Sequence, residues 1–422
     1  MTLQDSSPAL AENFLEEFIS RGYLYQSTNL EKLGEIFATK KVAAYIGFDC
    51  TAPSLHVGNL MQIMILRLLQ KHGHKPIVII GDATTSIGDP TGKTSARKIL
   101  SLSEIDSNIK GIENSLMKFL KFGDGKDDAI LLRNSQWLNA VGYLDFLRDY
   151  GRHISVNKMV GIETAKARLD NNQHLSFLEF NYMLIQGYDF CHLSQNYDCL
   201  LQIGGSDQWG NIIMGIEAAH KVLAHELFGI TTPLLTTANG SKMGKSVNGA
   251  VWINDDMLSP YDYYQFWRNT DDRDVVKFAK LYCEFTPDQM IHFQDLAQQD
   301  INKAKEQLAF NLTQLCHGQE SALQAIHTAH ALFEEGLVDV NMPTFEISRQ
   351  DLSDGIHINQ LLKNSGLASS NSQGRRFVRG NSVSINDVKV DDENLLIDLE
   401  HFSDGNLKLS SSSKKHMLIK LK

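Results

Sequence analysis

Two short segments of this chain carry groups suited to phosphate chemistry. His56-Val57-Gly58-Asn59 stands where a loop enters an apolar helical run. Helix N-termini leave N–H groups unpaired and carry partial positive charge, which attracts phosphate. Gly58 permits close approach to the backbone, and His56 and Asn59 add side-chain donors. Taken alone, the tetrapeptide reads equally well as a capping turn. Gly240-Ser241-Lys242-Met243-Gly244-Lys245-Ser246 places two ammonium groups and a hydroxyl on a glycine-flexible loop. Such a loop can close over a polyphosphate and supply charge as a transition state forms. It can also be an ordinary solvated loop.

A third segment, Gly88-Asp89-Pro90-Thr91-Gly92-Lys93-Thr94, imitates a P-loop but has three residues, not four, before its Gly-Lys pair. Pro90 also removes a backbone donor, so a P-loop NTPase is rejected. Lys93 and Arg97, four apart, still share one helical face. Tyr182, Gln186 and Asp189 have helical spacing that aligns three polar groups amid the apolar Met183, Leu184 and Ile185. They are either a solvent stripe or the lining of a small polar pocket. Gly204 to Asn211 (GGSDQWGN) follows the apolar run Leu200 to Ile203, hence the carboxyl end of a strand, where open α/β sheets bind ligands. No metal-ligand spacing and no hydrolase triad signature stands out.

The elements that must position these groups start with a βαβ unit. Val42 to Asp49 and Pro76 to Ile80 read as buried strands, with an apolar helix from Leu60 to His72 between them and Gly73 as its C-cap. A parallel sheet and an α/β fold follow. Further helices are expected at about Leu138 to Tyr150 and Leu178 to Ile185, a loop over Gly240 to Gly249, and helices from Asp262 to about Leu337. The expected organisation is a catalytic domain over 1–235, a loop and helical domain over 236–337, a linker over 338–354 and a small α-then-β domain over 355–422.

At 422 residues, with 42% hydrophobic and 21% charged side chains, the chain has the composition of a globular protein of two or three domains. No stretch is long and apolar enough to span a bilayer. The first twenty residues contain four acidic groups and no Arg, against a secretory or transit peptide. Five cysteines without a C-x-x-C pair fit reduced thiols and a cytoplasmic setting. The net charge of −10 is uneven. Gly355 to Lys422 holds seven Lys and three Arg against five Asp and two Glu, a net +3 that leaves −13 on the rest. A basic appendix on an acidic body fits an RNA-touching module attached to an enzyme, or a solvated surface.

In this order the motifs resemble the bacterial-type tyrosyl-tRNA synthetases of class I. The likeness is strongest at Tyr45-Ile46-Gly47-Phe48-Asp49, Gln186-Gly187-Tyr188-Asp189-Phe190 and Gly204 to Asn211, with HVGN and KMGKS as the two class signatures. The resemblance implies a Rossmann-like parallel-sheet catalytic domain, then a helical anticodon-binding-type domain and a small α+β S4-like domain. It implies that Tyr45 and Asp189 meet the phenol oxygen of tyrosine. Tyr182, Gln186 and Asp89 would surround its ammonium group, supported by Thr84 and Asn134, with Gln208 alongside. Gly47, Asp49, Gly58, Gly205 and Asp207 would bind ATP, with Asp207 on the ribose. Thr51, His56 and Asn59 would hold the attacked phosphate, and Lys93, Arg97, Lys242, Lys245 and Ser246 the departing pyrophosphate. Mg²⁺ would accompany ATP.

Gln373 to Val378 looks like the basic helix of an S4-type domain, with Arg375, Arg376 and Arg379 on tRNA phosphates. A homodimer is a further implication. Three departures from the family pattern stand out: Asn59 in place of a second His, Gly244 in the second signature, and Asp82 and Thr85 where a Gly-rich loop is usual. The rival readings are tryptophanyl-tRNA synthetase, a small-molecule nucleotidylyltransferase and a non-catalytic RNA-binding relative.

Overall fold

The structure, a computed structural model, describes residues 13–89, 100–240, 243–246, 249–333, 343–352, 355–386, 388–402, 405–412 and 415–422. Its central sheet grows from the runs of branched apolar residues. The strands are β1 (Gln26–Ser27), β2 (Ala43–Asp49), β3 (Lys75–Gly81), β4 (Ile130–Arg133), β5 (Cys199–Gly205) and β6 (Phe228–Thr232). Their order is β1-β6-β5-β2-β3-β4, with β6 to β4 all parallel and β1 antiparallel at the edge. From β2 the chain moves outward to β3 and β4, then returns to place β5 on the other side of β2. The reversal between β2 and β5 opens a crevice at their carboxyl ends.

The expected βαβ unit is present within one or two residues at each boundary. The helix Leu60–Lys71 buries Leu60, Met61, Ile63, Met64, Ile65, Leu66, Leu68 and Leu69, which accounts for its nearly unbroken apolar sequence. Gly73, at φ +72°, closes it: its N–H bonds Gln70 O, and His74 N–H bonds Leu69 O.

Three expectations change. The helix expected over Leu138 to Tyr150 is two pieces, Ser135–Leu138 and Tyr143–Asp149, and Gly142 in extended conformation begins the second. The helix expected over Leu178 to Ile185 runs from Phe177 to Tyr197, 21 residues, started by a Ser176/Glu179 capping box. Its polar residues Gln186 and Asp189 disguise its length because one of them, Asp189, is buried. Thr344–Ile347, inside the span expected as a linker, is a strand parallel to Lys415–Leu421.

The chain divides into two compact units at His317/Gly318. The first therefore joins the parallel sheet to the helices Pro260–Arg268, Asp272–Tyr282, Pro287–Gln299 and Ile301–His317, with no break near residue 235. The second contains the helix Gln319–Phe333 and a five-stranded sheet packed around Ile358, Leu361, Leu362, Val383, Leu407 and Ile419.

Candidate active site

β2 delivers Tyr45 to the crevice between residues Ile77 of β3 and Gln202 of β5. Its ring packs edge-on to Phe190 at 5.2 Å, and its hydroxyl is buried with no hydrogen-bond partner among the described residues. An unpaired buried hydroxyl is costly, and a polar ligand group placed beside it would satisfy it. Burial pushes the Tyr45 phenol well above its ordinary value, and the nearby Asp189 carboxylate pushes it further.

Asp189 comes from the long helix Phe177–Tyr197. Asn134 Nδ2 donates to its Oδ2 at 3.0 Å, and Trp137 Nε1 donates to its Oδ1 at 2.7 Å. Burial nevertheless raises the Asp189 carboxyl to about 7, against the pull of these two donors and with a small addition from Asp82. Asn134 also donates to Thr84 Oγ1 at 3.0 Å and accepts from Ala83 N–H at 3.0 Å. Asn134 thereby ties the start of the helix Asp82–Ile87 to the long helix.

A second polar chain lies along the same crevice. Gln208 Nε2 donates to Asp89 Oδ2 at 3.0 Å, while Asn211 Nδ2 donates to Gln208 Oε1 at 3.1 Å and Gln186 Oε1 at 2.8 Å. The structure thus brings together Asp89, Gln186 and Gln208, three residues far apart in sequence. Tyr182 is buried on the same helix as Gln186. Trp137 and Asn211 were missed as site residues. Trp137 had a usable signal, an indole donor one helical turn beyond Asn134, and Asn211 closes the GGSDQWGN motif itself.

The first signature is a short turn, Val57–Asn59, that feeds the helix Leu60–Lys71. Gly58 N–H donates to His56 Nδ1 at 3.0 Å, and His56 N–H donates to Asn59 Oδ1 at 3.3 Å. Because Nδ1 accepts, a neutral His56 ring carries its proton on Nε2. Asn59 has a defined task here: its amide oxygen closes the turn from the other side.

The second signature packs directly on the first. A Cβ on Gly58 would stand 2.8 Å from Met243 O, and one on Gly244 (φ +104°) 2.9 Å from Gly58 N. Only glycine fits both positions. Met243 is buried, and Lys245–Ser246 pairs with Gly249–Ala250. Lys93, Arg97 and Lys242 lie outside the described residues, and for Lys245 and Ser246 the backbone alone is described.

On β2, Gly47 faces open space, with Asp49 two residues on, level with Gly81 of β3. Gly205 lies against the Asp207 carboxylate, where a Cβ would come within 2.5 Å of Oδ1. Thr51 is exposed in the loop after β2. A cleft of about 990 Å³ adjoins Asp207 and Ser206 and is lined by Lys158, Arg168, Trp209 and Glu217. It includes none of Tyr45, Tyr182 or Asp189. The two bulky departures from the family loop are bonded in place: Cys50 N–H donates to Thr85 Oγ1 at 2.8 Å, and Asp82 takes donors from Ser135 and Arg133. Among the described residues no group of three or more His, Cys, Asp or Glu is placed to hold a metal, and no helix is long and apolar enough to cross a membrane.

In the second unit the helix Asn371–Arg379 exposes Arg375, Arg376 and Arg379. Arg379 already forms a two-pronged ion pair with Glu393 at 2.6 and 2.9 Å.

Comparison with known proteins gives this geometry its family. Residues 38–334 match the tRNA synthetases class I (W and Y), and the chain belongs to that class. Residues 333–419 match the tyrosine–tRNA ligase SYY-like C-terminal domain. The tyrosine–tRNA ligase of Rickettsia massiliae (strain Mtu5) is 56% identical over 409 residues, covering 97% of this chain and 100% of the relative. Within the class, the chain is a member of the tyrosine–tRNA ligases. Among solved structures, a C-terminally truncated mitochondrial tyrosyl-tRNA synthetase of Aspergillus nidulans aligns with a TM-score of 0.70 at 29% identity, over 76% of this chain and 94% of that one. A tryptophanyl-tRNA synthetase of Encephalitozoon cuniculi shares the fold at 13% identity and a TM-score of 0.54, over 73% of this chain and 87% of that one. The fold by itself therefore does not separate the two amino acids.

Proposed function

We propose that the crevice between β2 and β5 selects L-tyrosine by its phenol oxygen and joins its carboxylate to the α-phosphate of ATP. The observation that carries this reading is the buried, partnerless Tyr45 hydroxyl beside Asp189. A bound phenol accepts from Tyr45 Oη and donates to Asp189, so both groups are satisfied at once. Phenylalanine leaves the Tyr45 hydroxyl unpaired, and tryptophan presents an indole in place of the phenol.

Asp89, Tyr182 and Gln186 take the ammonium group, with Gln208 and Asn211 fixing that chain and Thr84 and Asn134 behind Asp189. ATP lies over Gly47, Gly58 and Gly205, with Asp49 and Asp207 on its nucleoside. The tyrosine carboxylate is already an anion, so no general base is required. An oxygen–phosphorus bond forms at the α-phosphate while the bond to pyrophosphate breaks. His56, through Nε2–H, and Thr51 steady the α-phosphate, with Asn59 holding the His56 turn. Lys93, Arg97, Lys242, Lys245 and Ser246 stabilise the charge that moves onto pyrophosphate. Mg²⁺ enters with ATP. The adenylate then passes its tyrosyl group to the 3′ end of tRNA(Tyr), held in part by Arg375, Arg376 and Arg379.

A homodimer is part of the proposal. Leu144 at 76% exposure and Phe177 at 68%, with Tyr143 and Val156, are exposed apolar side chains between residues 143 and 178, and a second copy would cover them. The cytoplasm is the proposed location, in keeping with five free buried cysteines.

The test is amino-acid-dependent ATP–pyrophosphate exchange without tRNA, with tyrosine, phenylalanine and tryptophan in turn. Exchange with tyrosine alone is expected. Exchange with tryptophan would overturn the roles of Tyr45 and Asp189, and no exchange with any of the three would overturn the adenylation reading.

A further inference from the structure

Asp82 is the first residue after β3, at a position where the family resemblance calls for a glycine-rich loop, and its carboxylate is buried. Burying a carboxylate is expensive unless donors surround it. Here four do. Oδ1 accepts from Ala83 N–H at 3.0 Å and Ser135 N–H at 2.9 Å, and Oδ2 accepts from Arg133 Nε at 2.7 Å and from the Ser135 hydroxyl. Although burial alone would raise the Asp82 carboxyl, the Ser135 and Arg133 donors hold it below the usual range, so it is ionised at neutral pH.

The placement of these donors is what matters. Arg133 and Ser135 flank Asn134, whose side chain donates to Asp189. Ser135 also begins the short helix Ser135–Leu138 that carries Trp137, the other donor to Asp189. Both hydrogen bonds on Asp189 therefore come from a stretch of five residues that one carboxylate holds at Arg133 and Ser135. Asp82 itself makes no hydrogen bond to Tyr45 or Asp189 among the described residues; apart from the small rise its charge gives Asp189, its influence on the amino acid passes through that stretch.

We infer that Asp82 is a positioning residue for amino-acid selection, its carboxylate fixing the 133–137 backbone so that Asn134 and Trp137 hold Asp189 against the substrate phenol. This rests on the assignment of Tyr45 and Asp189 to the phenol oxygen. A purely structural clamp would lower the melting temperature and leave the two substrates affected alike. A positioning residue acts on tyrosine more than on ATP, and only while Asn134 is present to transmit it.

The experiment is ATP–pyrophosphate exchange on the full-length chain with Asp82→Ala, Asp82→Asn, Asn134→Ala, the double variant Asp82→Ala/Asn134→Ala, and Tyr45→Phe. Asp82→Ala is expected to raise KM for tyrosine about tenfold, the scale of one lost hydrogen bond to a charged group, and to change KM for ATP less than about twofold. Asp82→Asn keeps the two bonds on Oδ1 and is expected to recover part of that loss. In the Asn134→Ala background, Asp82→Ala is expected to add less than about twofold.

Three results would overturn the inference: equal rises in KM for both substrates, the full tenfold effect persisting without Asn134, or a folded Asp82→Ala variant with unchanged tyrosine KM. Should Asp82→Ala not fold, Arg133→Met replaces it, since the Arg133 side chain is 39% exposed and its loss leaves three of the four bonds. A smaller tyrosine-specific rise in KM is then expected, and no rise would overturn the inference. Tyr45→Phe separates the two failures. If that variant discriminates tyrosine from phenylalanine as well as the parent does, the phenol assignment is wrong, whereas the coupling between Asp82 and Asn134 judges the positioning role either way.

Discussion

Replacing Tyr45 by Phe removes one atom from the proposed phenol site, and the proposal fixes the sign of each consequence. The hydroxyl is buried and has no hydrogen-bond partner among the described residues. Its removal therefore breaks no hydrogen bond in the unliganded protein and relieves a desolvated polar atom, so the melting temperature should hold or rise by the equivalent of up to about 1 kcal/mol. With tyrosine bound, the same removal leaves the substrate phenol without a donor. A buried group left unsatisfied costs about 1–3 kcal/mol, so kcat/KM for tyrosine should fall about 5- to 150-fold.

With phenylalanine the effect reverses, because the variant no longer strands its own hydroxyl against a ring that cannot pair with it. A gain of about fivefold is expected from a relief of about 1 kcal/mol. Discrimination between the two amino acids should therefore collapse from both sides. Pyrophosphate exchange against concentration series of each amino acid measures all four constants, and a thermal melt measures the stability term. Equal losses for tyrosine and phenylalanine, or a clear drop in melting temperature, would refute the reasoning.

Burial holds the Asp189 carboxyl near 7, above its unfolded value of about 3.8. The folded protein keeps a proton there that the unfolded chain releases, so this group weakens stability as pH rises from about 4 to 7. Asp189→Asn should remove that slope in melts between about pH 4 and 7, and a parallel slope in parent and variant would count against it. Gly244→Ala should lower exchange about tenfold at unchanged tyrosine affinity, because left-handed backbone costs a non-glycine residue about 1–2 kcal/mol and the Cβ meets Gly58. Equilibrium dialysis of tyrosine beside the exchange assay separates the two quantities. Gly111→Ala should destabilise the fold by about 1–3 kcal/mol in urea titration, since a Cβ there would overlap Pro53 O at 1.8 Å. Arg375→Ala and Arg376→Ala should each weaken tRNA charging and reduce its salt dependence by about one ion, with exchange untouched. Arg379→Ala should do less, because Glu393 already occupies it.

Much of the fold was legible because periodicity records burial. The βαβ unit of β2, the helix Leu60–Lys71 and β3 is buried almost throughout, so its sequence is apolar almost throughout. The sequence of the long helix Phe177–Tyr197 shows only its first part as helical, because its later polar residues resemble a chain leaving the core. Two of them, Gln186 and Asp189, are polar because they line an interior crevice. The strand Thr344–Ile347 was invisible for another reason: four residues with an alternating burial pattern gain their identity from a partner about seventy residues away.

The sequence by itself determined the residue types at the site: the phenol of Tyr45, the carboxylate of Asp189, the glycines at 58 and 244, and the lysines of the second signature. Their order along the chain carried the family. Only the tertiary structure decided which of them are deprived of water and which partners they keep. It left the Tyr45 hydroxyl unpaired, raised Asp189, set Gly244 against Gly58, and put Asp82 behind Asn134. The physical reason is that desolvation and hydrogen-bond satisfaction belong to neighbours in space, and here those neighbours come from β2, the short helix after β3, the end of β4 and the long helix Phe177–Tyr197.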